Sequence, residues 1–105
     1  MALQIDRKNA SDIYLVTVTG EVDLYSSPEL REALTGNLPQ DARTVCVDLS
    51  SVPYMDSSGV ATLVEGLRAA KSANCGFAIV APSAQVLKVL QLSRLDTVFE
   101  IRDTA

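Results

Sequence analysis

The order in which apolar patterns change along the chain limits its fold more than any single motif does. Stretches rich in β-branched residues or in two-residue alternation are separated by stretches with apolar residues at three- and four-residue spacing. Such a succession closes most readily as one sheet backed by helices. LQIDR alternates apolar and polar residues, and beyond Asn9 to Ser11 the run IYLVTVTGEV is rich in β-branched and aromatic residues, so two adjoining strands in a hairpin are expected. Ser26 and Ser27 precede Pro28, which suits a first helical position because its missing N–H has no partner there. Leu30, Ala33, Leu34 and Leu38 supply the apolar stripe of that helix. Pro39 to Ala42 leads to a strand at Thr44 to Leu49, with Val45, Val47 and Leu49 on one face.

A second helix follows, turning Val60, Leu63, Val64 and Leu67 inward and Thr62, Glu65, Arg68 and Ser72 to water, and ending at Asn74 to Gly76. Gly76 to Ala81 reads as a buried strand. Pro82 and Ser83 start a third helix through Val86, Leu87, Val89, Leu90 and Leu92, and Thr97 to Ile101 is a last short strand. The order β-β-α-β-α-β-α-β predicts an α/β fold: an opening β-hairpin, then right-handed crossovers that build a mixed, mostly parallel β-sheet covered by helices on one face or both.

At 105 residues and 48% hydrophobic content, a single domain over residues 1–105 is expected. Nine basic residues against 13 acidic ones argue against a nucleic-acid partner held through its phosphates. No apolar run is long enough to span a bilayer, and MALQIDRKN lacks the basic-then-apolar order of a signal peptide, so the chain is expected in the cytoplasm without membrane insertion. There is no histidine, which removes any Ser-His-Asp triad and the commonest general base and metal ligand. Cys46 and Cys75 lack the spacing of a metal or redox pair and read as buried free thiols, while the glycines are too scattered for a phosphate-binding loop. Neither an enzyme nor a bound metal or cofactor is expected.

What stands out is the segment between the middle strand and the second helix, SSVPYMD followed by SSG, longer than most strand-to-helix connections. In open α/β sheets ligands gather where strands end and helices begin. Capping explains part of the pattern: a serine satisfies an orphan N–H, Asp56 complements the positive end of the helix, and Gly59 keeps the backbone slim. Either Ser57 or Ser58 serves as such a cap, and the residues alone do not choose between them. Tyr54 and Met55 place large apolar groups before Asp56, where water is expected to meet them, which is a mark of a contact surface. Glu21 and Asp23 bring two carboxylates to the end of the second strand, expected at the same rim. With no base nearby to activate either hydroxyl, a serine here is a better substrate than catalyst.

TGEVD (Thr19 to Asp23), VCVDLSSVPYMDSSGVATL (Val45 to Leu63) and LSRLDTVFEI (Leu92 to Ile101) resemble, in order and spacing, the STAS domains of bacterial anti-sigma factor antagonists. MDSSG preceded by an aromatic is the most specific part. The resemblance implies a regulatory cycle: the unphosphorylated protein binds an anti-sigma factor that is also an ATP-dependent serine kinase, releasing the sigma factor. The kinase then phosphorylates the antagonist, and a PP2C-type phosphatase resets it. It also implies that the phosphoacceptor is the serine after the aspartate, Ser57, with Tyr54, Met55, Asp56, Ser58, Gly59, Asp23 and Glu21 in the partner contact. A monomer in the free form is expected, though the residues do not determine the oligomeric state. Ala61 stands where the family often has glycine. Arg94 stands where glycine frequently precedes Leu-Asp, so the third helix is expected to end without a left-handed glycine.

STAS domains also serve as small soluble subunits of ATP-driven lipid transport complexes, and that alternative keeps the fold while changing the task. A phosphoaspartate receiver fits poorly, since Asp48 alone follows a middle strand where clustered acids would be needed.

Overall fold

The computed structural model describes residues 3–105. Its elements run β1 (Gln4–Ala10), β2 (Ile13–Thr19), α1 (Ser27–Thr35), β3 (Thr44–Ser51), α2 (Ser57–Ser72), β4 (Gly76–Val80), α3 (Ala84–Leu92) and β5 (Glu100–Arg102). The β-β-α-β-α-β-α-β order expected from the patterning is the order observed. β1 and β2 form the antiparallel hairpin, with Gln4 opposite Thr19 and Ala10 opposite Ile13. β2, β3, β4 and β5 are parallel neighbours, so the sheet order is β1-β2-β3-β4-β5. Because each right-handed crossover steps in the same direction across the sheet, all three helices fall on one face.

That face carries the core. Val16, Val18, Val45, Val47, Leu49 and Ile79 from the strands meet Leu30 and Leu34 of α1, Leu63 of α2 and Leu90 of α3, all fully buried. The opposite face has a smaller apolar cluster built from strand residues, Cys46, Ala78 and Val80, flanked by Ile13 and Leu15. Burial pushes the Cys46 thiol above its ordinary value. Cys75 departs from expectation: it is only half-buried, with its Sγ 3.1 Å from the Ala42 carbonyl.

Three further sequence expectations are corrected. Leu38 packs against the core from beyond α1, which stops at Thr35. Thr62 is fully buried rather than facing water, because its hydroxyl donates to the Ser58 carbonyl one helical turn back and so carries its own partner inward. The last strand begins at Glu100: Val98 and Phe99 donate their N–H groups to the Leu95 carbonyl, which turns the chain, and Phe99 packs on Phe77 with ring centroids 6.1 Å apart. α3 ends without a left-handed glycine, as expected, and Arg94 takes the left-handed conformation in its place (φ 59°). Arg94 N–H donates to Gln91 O and Leu95 N–H to Leu90 O, the paired bonds that end a helix through a left-handed residue.

Among the described residues, no helix is long and apolar enough to cross a membrane.

Candidate functional site at the mouth of the second helix

β2 does not stop cleanly at Thr19. Its pairing with β3 shifts between Thr17 and Thr19, and Gly20 takes φ 113°, a backbone region open to glycine and unfavourable to other residues. This bend carries the chain alongside the segment that leaves β3. Val22 N–H donates to Tyr54 O at 3.0 Å and Asp56 N–H to Val22 O at 3.2 Å, a parallel bridge between Val22 and Met55. The turn after β2 and the start of α2 therefore share one rim, as the sequence suggested.

The start of α3 holds the other side of the same segment. Ser83 Oγ donates to Val52 O at 2.6 Å. The Gln85 side chain grips the Met55 backbone at both polar atoms: its Oε1 accepts the Met55 N–H at 2.8 Å and its Nε2 donates to the Met55 carbonyl at 3.2 Å. A long connection is thus fixed by hydrogen bonds on both flanks, which presents the residues behind it in one geometry. Nothing in the local pattern around Gln85 marks this role, since its partners lie thirty positions away.

Met55 is not a surface residue. It is 1% exposed, with its side chain in the core between Val22 and α2, because the bridge to Val22 directs it inward. Gly59 is buried directly above it. A Cβ on Gly59 would lie 2.5 Å from Met55 Cγ and 2.9 Å from Val22 Cγ1, so only glycine lets the first turn of α2 settle this close. Met55 and Gly59 form the floor of the site, while Tyr54, 44% exposed, faces water.

The cap of α2 is Asp56, and neither serine hydroxyl serves as one. Asp56 has extended backbone angles, and its Oδ1 accepts the Ser58 N–H at 2.9 Å and, more weakly, the Gly59 N–H at 3.4 Å. Ser57 is the first residue of the helix, exposed, and its hydroxyl has no hydrogen-bond partner among the described residues. Ser58 is half-buried and contributes its carbonyl to Thr62. Neither hydroxyl has a hydrogen-bond partner among the described residues, and the two serines differ in exposure: Ser57 faces solvent, while Ser58 is half-buried with its backbone N–H and carbonyl engaged in the first turn.

Asp23 lies one residue past the Val22 bridge, half-buried, and its carboxylate is engaged in its own turn. Oδ1 accepts the Tyr25 N–H at 2.9 Å, the Ser26 N–H at 3.0 Å and lies 3.2 Å from the Ser26 hydroxyl, which donates at 2.8 Å to the Glu21 carbonyl. The Ser26 N–H, with those of Tyr25 and the Ser26 hydroxyl, holds the Asp23 carboxyl below its ordinary value against an opposing contribution from desolvation. Glu21 is exposed. The turn that Asp23 organises lifts Leu24 (66% exposed) and Tyr25 (89% exposed) into solvent. Sequence reasoning passed over this pair. The available signal was two large apolar residues inside a turn between an acid and two serines.

Comparison with known proteins agrees with this architecture. The family model described as "Mlab, STAS domain" matches residues 5–102. An anti-sigma-B factor antagonist of Staphylococcus aureus is 30% identical over 103 residues, covering 98% of this chain and 95% of that protein. Among solved structures, an anti-sigma factor antagonist from Mycobacterium paratuberculosis superposes with a TM-score of 0.86 at 23% identity, covering 98% of this chain and 87% of the other. The anti-sigma factor antagonist SpoIIAA, solved in unphosphorylated and in phosphorylated form, gives TM-scores of 0.73 and 0.70, each at 22% identity and over 95% of this chain, with 87% and 90% of the other chain covered. With hairpin, parallel strands, capped helix and acidic turn all in place, the chain belongs to the STAS-domain family of anti-sigma factor antagonists.

Proposed function

We propose that this antagonist works by partner switching at Ser57. In the unphosphorylated state it binds an anti-sigma factor that is also an ATP-dependent serine kinase, and that binding frees the sigma factor. The kinase moves the γ-phosphoryl group of ATP to Ser57 Oγ, with ADP leaving and the hydroxyl proton released, and the phosphorylated antagonist lets go. A PP2C-type phosphatase hydrolyses the ester and restores the hydroxyl.

One observation carries this reading: Ser57 is an exposed hydroxyl with no partner among the described residues, at the first position of a helix already capped by Asp56. Modifying it takes nothing from the fold. SpoIIAA, of the same fold, exists in both phosphorylation states, which supports a phosphate cycle on this scaffold. Around Ser57, Tyr54, Leu24 and Tyr25 supply apolar contact area, Asp23, Glu21, Asp56 and Ser58 the polar rim, and Met55 with Gly59 the support beneath.

The phosphate's effect follows from charge. It adds about 1.5 to 2 negative charges and three acceptor oxygens. Asp56 already occupies the Ser58 N–H that a phosphate at a helix start would otherwise use, so the dianion gains little locally and stands beside another anion. Buried in a close contact without a matched cation, it costs about 3 to 4 kcal/mol of binding, two to three decades in affinity.

The test incubates the purified chain with its candidate kinase and ATP, locates the phosphate by mass spectrometry in wild type, Ser57→Ala and Ser58→Ala, and measures kinase binding of Ser57→Asp. Label is expected to vanish in Ser57→Ala alone, and Ser57→Asp to fold normally and bind two or more decades more weakly. Label that persists in Ser57→Ala and vanishes in Ser58→Ala, or wild-type binding by Ser57→Asp, would overturn the reading.

A further inference from the structure

The sheet has two edges, and they are unlike. β1 presents Asp6, Arg7 and Lys8, a density of charge that discourages edge-to-edge pairing. β5 is only Glu100-Ile101-Arg102, and the chain leading through it carries three of the six large apolar residues exposed among the described residues: Leu92, Val98 and Ile101.

Among the described residues β5 has a strand on one side only. The Arg102 carbonyl accepts the Ala81 N–H at 2.7 Å, so the backbone polar groups of Arg102 turn toward β4. By the alternation of a strand those of Glu100 do the same, and those of Ile101 turn outward. Side chains alternate as well. Glu100 and Arg102 stand opposite Ala78 and Val80 on the helix-free face, where Arg102 Nη1 lies 3.8 Å from Cys46 Sγ, while Ile101 sits beside Ile79 on the helix face.

We infer that β5 is a self-complementary edge through which two copies of this chain pair antiparallel, about a two-fold axis at Ile101, joining two five-stranded sheets into one. In that register the outward N–H and C=O of Ile101 exchange two hydrogen bonds with those of Ile101 in the second copy. Glu100 then faces Arg102 of the second copy and Arg102 faces its Glu100, so both cross-strand pairs are of opposite charge. The two isoleucines meet on the helix face. Within one chain Arg102 already reaches Glu100, and a guanidinium has donors for two carboxylates. An isologous contact of this kind closes on itself and stops at two copies, whereas β5 pairing with β1 of another copy would grow without end. β5 lies two strands from β3, at whose end Ser57 is carried, so the pairing leaves that rim open.

Sedimentation of the full chain between about 10 μM and 1 mM tests this. A reversible equilibrium is expected between the 11.2 kDa chain and a species of twice that mass. Glu100→Arg alone and Arg102→Glu alone each set like charges opposite one another at both pairs, and each is expected to weaken self-association about thirtyfold. An equimolar mixture of the two variants is expected to associate as strongly as wild type, because each supplies the charge the other lacks. Loss of fold cannot produce that rescue. A wild-type chain that stays monomeric throughout, variants that associate as wild type does, or a mixture that fails to recover the dimer each overturns the proposal.

Discussion

The close approach of α2 to the segment beneath it makes Gly59→Ala a sharp probe of the site. The added Cβ would stand 2.5 Å from Met55 Cγ, 3.0 Å from its Sδ and 2.9 Å from Val22 Cγ1. Met55 and Val22 are buried, so neither can swing into solvent to relieve the contact. Overpacking of this kind costs about 1 to 3 kcal/mol. Alanine's better helix propensity returns at most about 1 kcal/mol, less in a first turn, leaving a net loss of about 1 to 2 kcal/mol. Met55→Ala alone removes the obstructing side chain and costs about 2 to 5 kcal/mol through the space left behind. In the double variant the new methyl group enters that space. Urea unfolding followed by circular dichroism is therefore expected to find the double variant no less stable than Met55→Ala, a favourable coupling of at least about 1 kcal/mol. Additivity within about 0.5 kcal/mol, or Gly59→Ala at wild-type stability, would refute the packing described here.

Arg94 holds a left-handed conformation that costs a non-glycine residue about 1 to 2 kcal/mol, so Arg94→Gly is expected to raise stability by about 1 kcal/mol and the melting temperature by about 4 to 8 °C in thermal denaturation. The Asp23 carboxyl titrates below its ordinary 3.8, so its stabilising contribution is present above that pH and is lost as pH falls through the lower folded value. Carboxyl-carbon NMR is expected to place the Asp23 midpoint below 3.8, and Asp23→Asn to flatten the acid side of the stability profile there. Asp56→Ala removes the cap of α2 and is expected to cost about 1 kcal/mol, while Ser57→Ala stays within about 0.5 kcal/mol of wild type in the same unfolding assay.

The elements were legible because each has the period its environment requires. Val45, Val47 and Leu49 alternate since β3 has one face against the helices, and Leu30, Ala33 and Leu34 recur at helical spacing since α1 has one stripe to bury. Position relative to the sheet was harder to read. Met55 looked like a loop residue, and only the bridge to Val22, thirty-three positions earlier in the chain, turns it inward. Thr62 looked polar, and an intrahelical bond to Ser58 makes its burial tolerable. The cap was misread for a local reason: aspartate and serine are nearly equal at that position, and extended backbone at Asp56, a property of the loop's path, settles the choice. Leu24, Tyr25 and Gln85 escaped notice because their significance is relational. Leu24 and Tyr25 matter through what the Asp23 turn exposes, and Gln85 through a backbone it reaches across the fold.

Assigning the cap to Asp56 separates two tasks that a single serine would have to combine. Were Ser57 the cap, its oxygen would be bonded to the helix N–H groups, and esterifying it would exchange a structural hydrogen bond for a bulky group. The modification would then act on the fold as much as on the contact. With Asp56 capping, the first turn is complete without any phosphate, and Gln85, bonded to the Met55 backbone, and Val22, bonded to the Tyr54 carbonyl and the Asp56 N–H on either side of it, keep it in place. On the proposal that Ser57 takes the phosphate, the charge would then have one place left to act, the surface formed with Tyr54 and the Leu24–Tyr25 turn. A switch of the proposed kind would change affinity by decades while the domain's own stability moved by a fraction of a kilocalorie, since the term that changes is desolvation of the dianion in the bound state and the unbound state leaves it in water.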